Sequence, residues 1–189
     1  MSRSIADVSL DNLHLLPGEV RGSVFWELDP DVGCVDPELH KEEWFSSTLL
    51  EWGPCGKVMV EDERAVAFAQ FAPASLFPRL ASYRCGRVSA DALYLAYCYV
   101  VRQRRGRKLG TEMLRSVGRD AAGRGFRALE SLGERTWQGG WVLPAAFLEA
   151  NRFTVVREDA EVPLLRLDLW EAAAPAEARH TAAAALPAT

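Results

Sequence analysis

Leu93-Tyr94-Leu95-Ala96-Tyr97-Cys98-Tyr99-Val100-Val101 runs directly into Arg102-Gln103-Arg104-Arg105-Gly106-Arg107-Lys108-Leu109-Gly110-Thr111, and this junction decides the fold. The first half is apolar, β-branched and aromatic, the composition of a buried strand. The second half is a basic turn containing glycine. From about Gly106 to Arg124 the apolar residues Leu109, Met113, Leu114 and Val117 then recur at helical spacing, with Arg115, Arg119 and Asp120 on another face. Strand, basic turn and helix start in that order present backbone N–H groups and positive charge to an anion, a phosphate above all. A solvated basic loop between two core elements has the same local composition, so the surrounding elements must decide.

Upstream, Ile5 to Val8 reads as a short strand, and Ser9 as an N-cap for a helix carrying Leu10, Leu13 and Leu16 up to Pro17. Ser23-Val24-Phe25-Trp26-Glu27-Leu28 reads as extended. Asp36-Pro37 is an N-cap followed by proline at the first helical position, and predicts a helix carrying Leu39, Trp44, Leu49 and Leu50 to about Gly53. Lys57 to Val60, the acidic turn Glu61-Asp62-Glu63, and Ala65 to Phe71 have the order of a β-hairpin. Downstream, Ala128 to Leu132 reads as a buried strand, Leu143 to Ala150 as a short helix, and Phe153 to Val156 and Val162 to Leu169 as two last strands. The sum is a mixed α/β (α+β) domain, in which early antiparallel strands lead into a parallel β-α-β unit centred on the opening stretch.

The chain has 189 residues, 49% of them hydrophobic, enough for one domain with a real core. From about Glu171 the composition turns to Ala, Pro, Glu and Thr. The folded domain is therefore read as residues 1–170, with 171–189 as a disordered tail. Net charge is −4, so the basic turn is a local feature on an acidic background. Nucleic-acid binding through Arg102, Arg104, Arg105, Arg107 and Lys108 would want a basic face across the domain, and is not expected. Cys34, Cys55, Cys85 and Cys98 are widely spaced, and His14, His40 and His180 are scattered, so no metal site is expected. With no long apolar run and no secretory start, the expectation is a cytoplasmic protein without membrane contact, monomeric or homodimeric.

The succession from Ile5 to Leu169 resembles the GNAT superfamily of N-acetyltransferases. The specific part of the likeness is Arg105-Gly106-Arg107-Lys108-Leu109-Gly110, which matches the family's Arg/Gln-x-x-Gly-x-Gly/Ala turn at Arg105 and Gly110, with Lys108 in place of the middle glycine. Phe147-Leu148-Glu149-Ala150-Asn151-Arg152-Phe153 is similar, more loosely, to a second family segment, with Arg152 where a glycine is usual and Leu148 where a catalytic tyrosine often stands.

The resemblance implies a largely antiparallel sheet with one splayed parallel strand pair, and acetyl-coenzyme A (acetyl-CoA) as cosubstrate with no metal. Its pyrophosphate would be held by the amides of Arg105, Gly106, Arg107, Lys108, Leu109 and Gly110, with Thr111 adding a hydroxyl. The pantetheine would lie along the backbone of Cys98, Tyr99 and Val100. A non-glycine at position 108 is tolerable with helical dihedrals and awkward at positive φ. The implied reaction is direct attack of a primary amine on the thioester.

Acetyl transfer needs a proton acceptor and a proton donor. Tyr94, read as sharing strand parity with Ala96, Cys98 and Val100, and Glu130 on the following strand are the candidate catalytic groups. Each also has a plain structural reading, as a packed aromatic and as a strand-end acid. Cys98 in an apolar strand reads as packing rather than as a nucleophile. The resemblance implies an acceptor pocket at Phe25-Trp26-Glu27, where Trp26 and Glu27 are the candidate acceptor-lining residues, with Trp137 to Trp141 as the segment bordering them. The missing tyrosine at Leu148 keeps an alternative open: a catalytically degenerate acyl-CoA-binding sensor or partner-binding module.

Overall fold

The computed structural model describes residues 3–169. The expected tail at 171–189 lies outside them. The chain forms strands β1 (Arg3–Asp7), β2 (Gly56–Glu61), β3 (Arg64–Ala72), β4 (Ala92–Val100), β5 (Ala128–Glu134), β6 (Leu143–Pro144), β7 (Thr154–Arg157) and β8 (Leu164–Asp168). Helices α1 (Gly18–Arg21), α2 (Pro37–Glu51), α3 (Leu109–Gly123) and α4 (Ala145–Ala150) complete it. The sheet order is β1-β2-β3-β4-β5-β8-β7, with β6 paired to the far end of β5. Among the described residues, β4–β5 and β5–β6 pair in parallel and the other ladders are antiparallel.

Period-2 alternation builds two cores, one on each face of the sheet. Val58, Phe68 and Tyr94 point to the face covered by Phe45 of α2. Met59, Ala67, Ala69, Leu93 and Leu95 point to the other, covered by Met113 and Val117 of α3 and Leu148 of α4. The β2–β3 hairpin turns through two residues, Asp62 (φ 47°) and Glu63 (φ 64°), the left-handed pair that matches strand twist in a two-residue hairpin. The Asp36 carboxylate accepts the Leu39 N–H at 3.1 Å and starts α2, with Pro37 inside it.

Four local expectations change. Residues 9–16 do not form an α-helix: Asn12 Oδ1 accepts the Ser9 N–H at 2.9 Å, and only Leu13–Leu15 closes a 3₁₀ turn before Pro17. Phe25-Trp26-Glu27 is a turn rather than a strand, with Leu28 N–H bonded back to Val24 O at 3.2 Å and Arg79 Nε bonded to Phe25 O. Helix α2 buries Lys41, Phe45 and Thr48, while Leu39 and Leu50 are exposed. Finally, β4 carries a bulge: Gln70 is opposite Tyr97 but Phe71 is opposite Leu95, leaving Ala96 as the extra residue. The bulge reverses the strand's parity. Tyr94 faces the α2 side, whereas Cys98 packs on the α3 side.

Candidate active site

The parallel β4–β5 ladder runs through Ala92–Ala128, Leu93–Leu129 and Tyr94–Glu130, and stops there. Beyond it the Ser131 hydroxyl donates to Leu95 O at 2.8 Å, the bulge at Ala96 intervenes, and β5 takes β6 as its parallel neighbour instead of β4. The edge of β4 past Ala96 is left open toward a cleft. That cleft has a volume of about 400 Å³. One wall is Tyr97, Cys98, Tyr99 and Val100 of β4; the opposite wall is Val142, Leu143, Pro144 and Phe147; Trp137 and Gly140 edge it. An open strand edge offers N–H and C=O groups to an extended amide-bearing ligand.

The N-terminus of α3 closes one end of the cleft through Arg105, Gly106, Lys108, Leu109, Gly110 and Thr111. The first intrahelical bond is Glu112 N–H to Lys108 O at 3.0 Å, which leaves the amides of Leu109, Gly110 and Thr111 without partners inside the helix. These amides and the helix dipole favour an anion there by about 0.3–1 kcal/mol. Gly106 has φ 78° and Lys108 φ 61°, ψ 15°. Lys108 therefore occupies a left-handed position natural to glycine, the awkward case foreseen for a side chain here. Gly110 packs closely: a Cβ would stand 3.0 Å from two ring atoms of Phe147, so that ring would have to shift to admit a side chain.

The side chains divide the work. Arg105 Nε donates to Val100 O at 3.0 Å and ties the turn to the end of β4. Arg104 is 3.6 Å from Glu61 Oε2. Arg107 and Lys108 make no ion pair among the described residues and remain free to meet an anion. Of the residues expected to touch the cofactor, all but Arg107 line the cleft. The Cys98 thiol packs 3.9 Å from Gly110 O, and desolvation pushes it up to about 12, so it is a neutral thiol at physiological pH. No three His, Cys, Asp or Glu side chains among the described residues are grouped as metal ligands.

The two residues expected to carry proton transfer stand elsewhere. Tyr94 and Glu130 face each other on the last rung of the parallel ladder; both are 0% exposed and neither lines the cleft. Tyr94 is packed by Trp26 and Phe77; its hydroxyl, near the Leu132 backbone, completes no hydrogen bond, and burial raises it well above the usual phenol range. Glu130 is not a strand-end acid facing water. Its Oε1 accepts from Arg166 at 3.1 Å and its Oε2 from Ser89 N–H at 2.8 Å. Arg166 also pairs with Asp91 and Asp168 at 2.9 and 2.8 Å, so Glu130 anchors a charged brace beneath the sheet.

Tyr97 was not singled out from the sequence, because the bulge that re-aims it is invisible there. It lines the cleft and also a smaller hollow formed with Phe25, Trp26, Glu27 and Trp141. Its hydroxyl makes no hydrogen bond among the described residues, whereas that of Tyr99 donates to Glu19 Oε2 at 2.7 Å. Desolvation raises Tyr97 far above its ordinary value. Lys41 and Gln70 border the same hollow. Gln70 is the lone polar residue in Val66 to Ala72, a signal the sequence did hold.

The comparisons with known proteins agree with this geometry. An N-acetyltransferase from Staphylococcus aureus Mu50 superposes with a TM-score of 0.61 at 15% identity, over 89% of this chain and 99% of that one. The PaiA N-acetyltransferase of Thermoplasma acidophilum, solved in complex with coenzyme A, gives 0.56 at 15% identity, over 89% and 99%. YncA of Salmonella typhimurium, solved with its cofactor acetyl-CoA, gives 0.57 at 17% identity, over 92% and 97%. No curated protein sequence matches significantly. The model of the acetyltransferase (GNAT) family matches residues 23–138, and with the splayed β4–β5 pair in place this chain belongs to that family.

Proposed function

We propose that this protein is an acetyl-CoA-dependent N-acetyltransferase acting on a primary amine. The observation that carries the reading is the cleft itself: an open β4 edge leading to unpartnered amides at the N-terminus of α3. The chemistry of the lining suits the cosubstrate. Gly106 to Thr111 would hold its pyrophosphate, Arg107 and Lys108 would face its remaining phosphate charge, and the backbone of Cys98 to Val100 would pair with the pantetheine amides. The two solved relatives with coenzyme A or acetyl-CoA support the same assignment.

In the transfer, the neutral amine attacks the thioester carbonyl. The C–N bond forms, the C–S bond breaks, the nitrogen gives up one proton and the departing thiolate takes one up. Holding both reactants in one cleft supplies much of the rate enhancement. Tyr97 is the proton donor we assign, because it is the phenol bordering both spaces with a free hydroxyl, and burial keeps it protonated. Tyr94 and Glu130 take structural roles in this reading. A cytoplasmic setting fits the four cysteines, all free thiols.

A second reading has one observation in its favour. Leu148, where the resemblance expects a tyrosine, is 0% exposed and is a core residue. A catalytically degenerate acyl-CoA binder would look the same there. Isothermal titration with acetyl-CoA and a thiol-release assay over a panel of primary amines separate the two. The proposal expects binding together with amine-dependent release of coenzyme A. Binding without turnover of any amine supports the sensor, and no binding refutes both.

A further inference from the structure

Helix α2 buries a lysine for which the core has no obvious use. Lys41 is 4% exposed, and it meets Glu27 (6%) and Gln70 (1%) from two other segments. Lys41 Nζ donates to Glu27 Oε1 and, at 3.2 Å, to Gln70 Oε1. Gln70 Nε2 also donates to Glu27 Oε1, at 2.5 Å. Both protein donors thus converge on one carboxylate oxygen. The other, Glu27 Oε2, is buried and has no partner. Burying three polar side chains and leaving one acceptor unpaired is a poor way to stabilise a core, because apolar side chains of similar volume would pack there at lower cost.

Glu27 borders a small, partly open hollow whose apolar walls are Val20, Phe25, Trp26, Tyr97 and Trp141. It is separated from the cofactor cleft by Tyr97, which lines both. The Trp141 ring lies 4.8 Å from that of Tyr97, and Trp26 Nε1 holds Trp141 O at 3.0 Å. Leading into Trp141 is an exposed segment, 135–140, that includes Gly139 at φ 98° and Gly140. As it stands, the hollow has no interior volume for even a water molecule, so an occupant must displace part of its wall, and Trp141 is the wall residue next to this exposed, glycine-containing segment.

We infer that this hollow is the acceptor subsite, and that it takes a primary monoamine on a compact apolar body whose N–H is received by Glu27 Oε2. The inference rests on the proposed acetyl transfer and deepens it. The apolar walls specify the body, since four of the nine residues lining the hollow are aromatic and Val20 adds a fifth apolar side chain. The charges specify the rest. Among the residues lining the hollow, Glu27 is the one acid and Lys41 the one cation, and they are already paired, so the lining itself offers no second acid to a polyamine and no spare cation to a carboxylate-bearing acceptor. Lys41 and Gln70 are positioning residues: they fix Glu27 so that Oε2 alone is offered. Tyr97 then lies between the held nitrogen and the open edge of β4.

The test compares 2-phenylethylamine, spermidine and a free-amino dipeptide by thiol release in the wild type and in Glu27→Gln, with acetyl-CoA affinity measured by titration on both proteins. The inference expects phenylethylamine to have at least a tenfold higher kcat/KM than the other two. Glu27→Gln should raise its KM about tenfold or more with acetyl-CoA affinity within twofold. In the wild type, phenylethylamine should also give a saturable change in tryptophan fluorescence, which needs no variant to fold. A preference for spermidine or the dipeptide overturns the inference, as does an unchanged KM in Glu27→Gln. Acetyl-CoA binding with no turnover of phenylethylamine also overturns it while leaving the cofactor cleft intact. Failure of acetyl-CoA to bind the wild type removes the reading beneath it.

Discussion

Replacing Lys108 by glycine separates what the turn's backbone does from what its side chains do. Lys108 sits at φ 61°, ψ 15°, exposed, immediately before α3. A left-handed conformation costs a residue with a Cβ about 1–2 kcal/mol relative to its preferred regions. Glycine removes that cost but gives the unfolded chain more freedom, worth roughly 0.5–1 kcal/mol. The net expectation is a gain of about 0–1.5 kcal/mol, a rise of up to about 6 °C in Tm for a chain of this size. Affinity should change little, because the amides stay in place and only one solvated cation is lost. An exposed charge contact contributes about 0.2–1 kcal/mol, or at most about a fivefold loss. Lys108→Ala is the control, since it removes the same charge and keeps the strained backbone. Thermal melts by circular dichroism and acetyl-CoA titrations check both quantities. If the alanine variant melts as high as the glycine variant, or if glycine costs more than tenfold in affinity, the reasoning about this turn is wrong.

The remaining expectations concern side chains to which the proposed transfer assigns no chemistry. Tyr94→Phe deletes a buried hydroxyl without a partner, so the variant should melt at or above the wild type and retain its turnover. A large loss of kcat at normal stability would return Tyr94 to the chemistry. Glu130→Ala takes one of three carboxylates from Arg166, leaves the Ser89 N–H without its acceptor, and should cost about 1–3 kcal/mol, seen as a Tm lower by roughly 2–12 °C, with the acetyl-CoA affinity of the folded protein preserved. Burial pushes Cys55 and Cys98 from 9.0 to about 12 in the folded state. Their contribution is fully present below pH 9 and is lost as the pH rises toward 12, because only the unfolded thiols ionise in between. Melting temperatures from pH 8 to 11 should therefore fall, less steeply in Cys98→Ala, and an identical slope in that variant would contradict the assignment.

The elements that position the cofactor cleft were legible because their periodicities are local. The apolar run of β4, the helical spacing of Leu109, Met113, Leu114 and Val117, and the two-residue turn at Asp62-Glu63 each follow from neighbouring residues. What escaped depends on distant partners. A single extra residue at Ala96 flips which face Tyr97 and Cys98 occupy, and no composition marks it. Lys41 reads as a solvated helix residue until Glu27 and Gln70 arrive from other parts of the chain. The Phe25-Trp26-Glu27 segment has the pattern of a strand, yet it is bound into a turn by Arg79. Glu130 looked like a reactive acid because Arg166 is 36 residues away in sequence.

The central claim is that the amides at the start of α3 and the open edge of β4 bind acetyl-CoA. Titrating acetyl-CoA into ¹⁵N-labelled protein and following the amide resonances tests it most directly. The account predicts that the largest shifts fall on Gly106 to Thr111 and on Tyr97 to Val100, with those of Tyr94 and Glu130 smaller. Saturable shifts concentrated elsewhere, with the Gly106 to Thr111 amides unmoved, would contradict it.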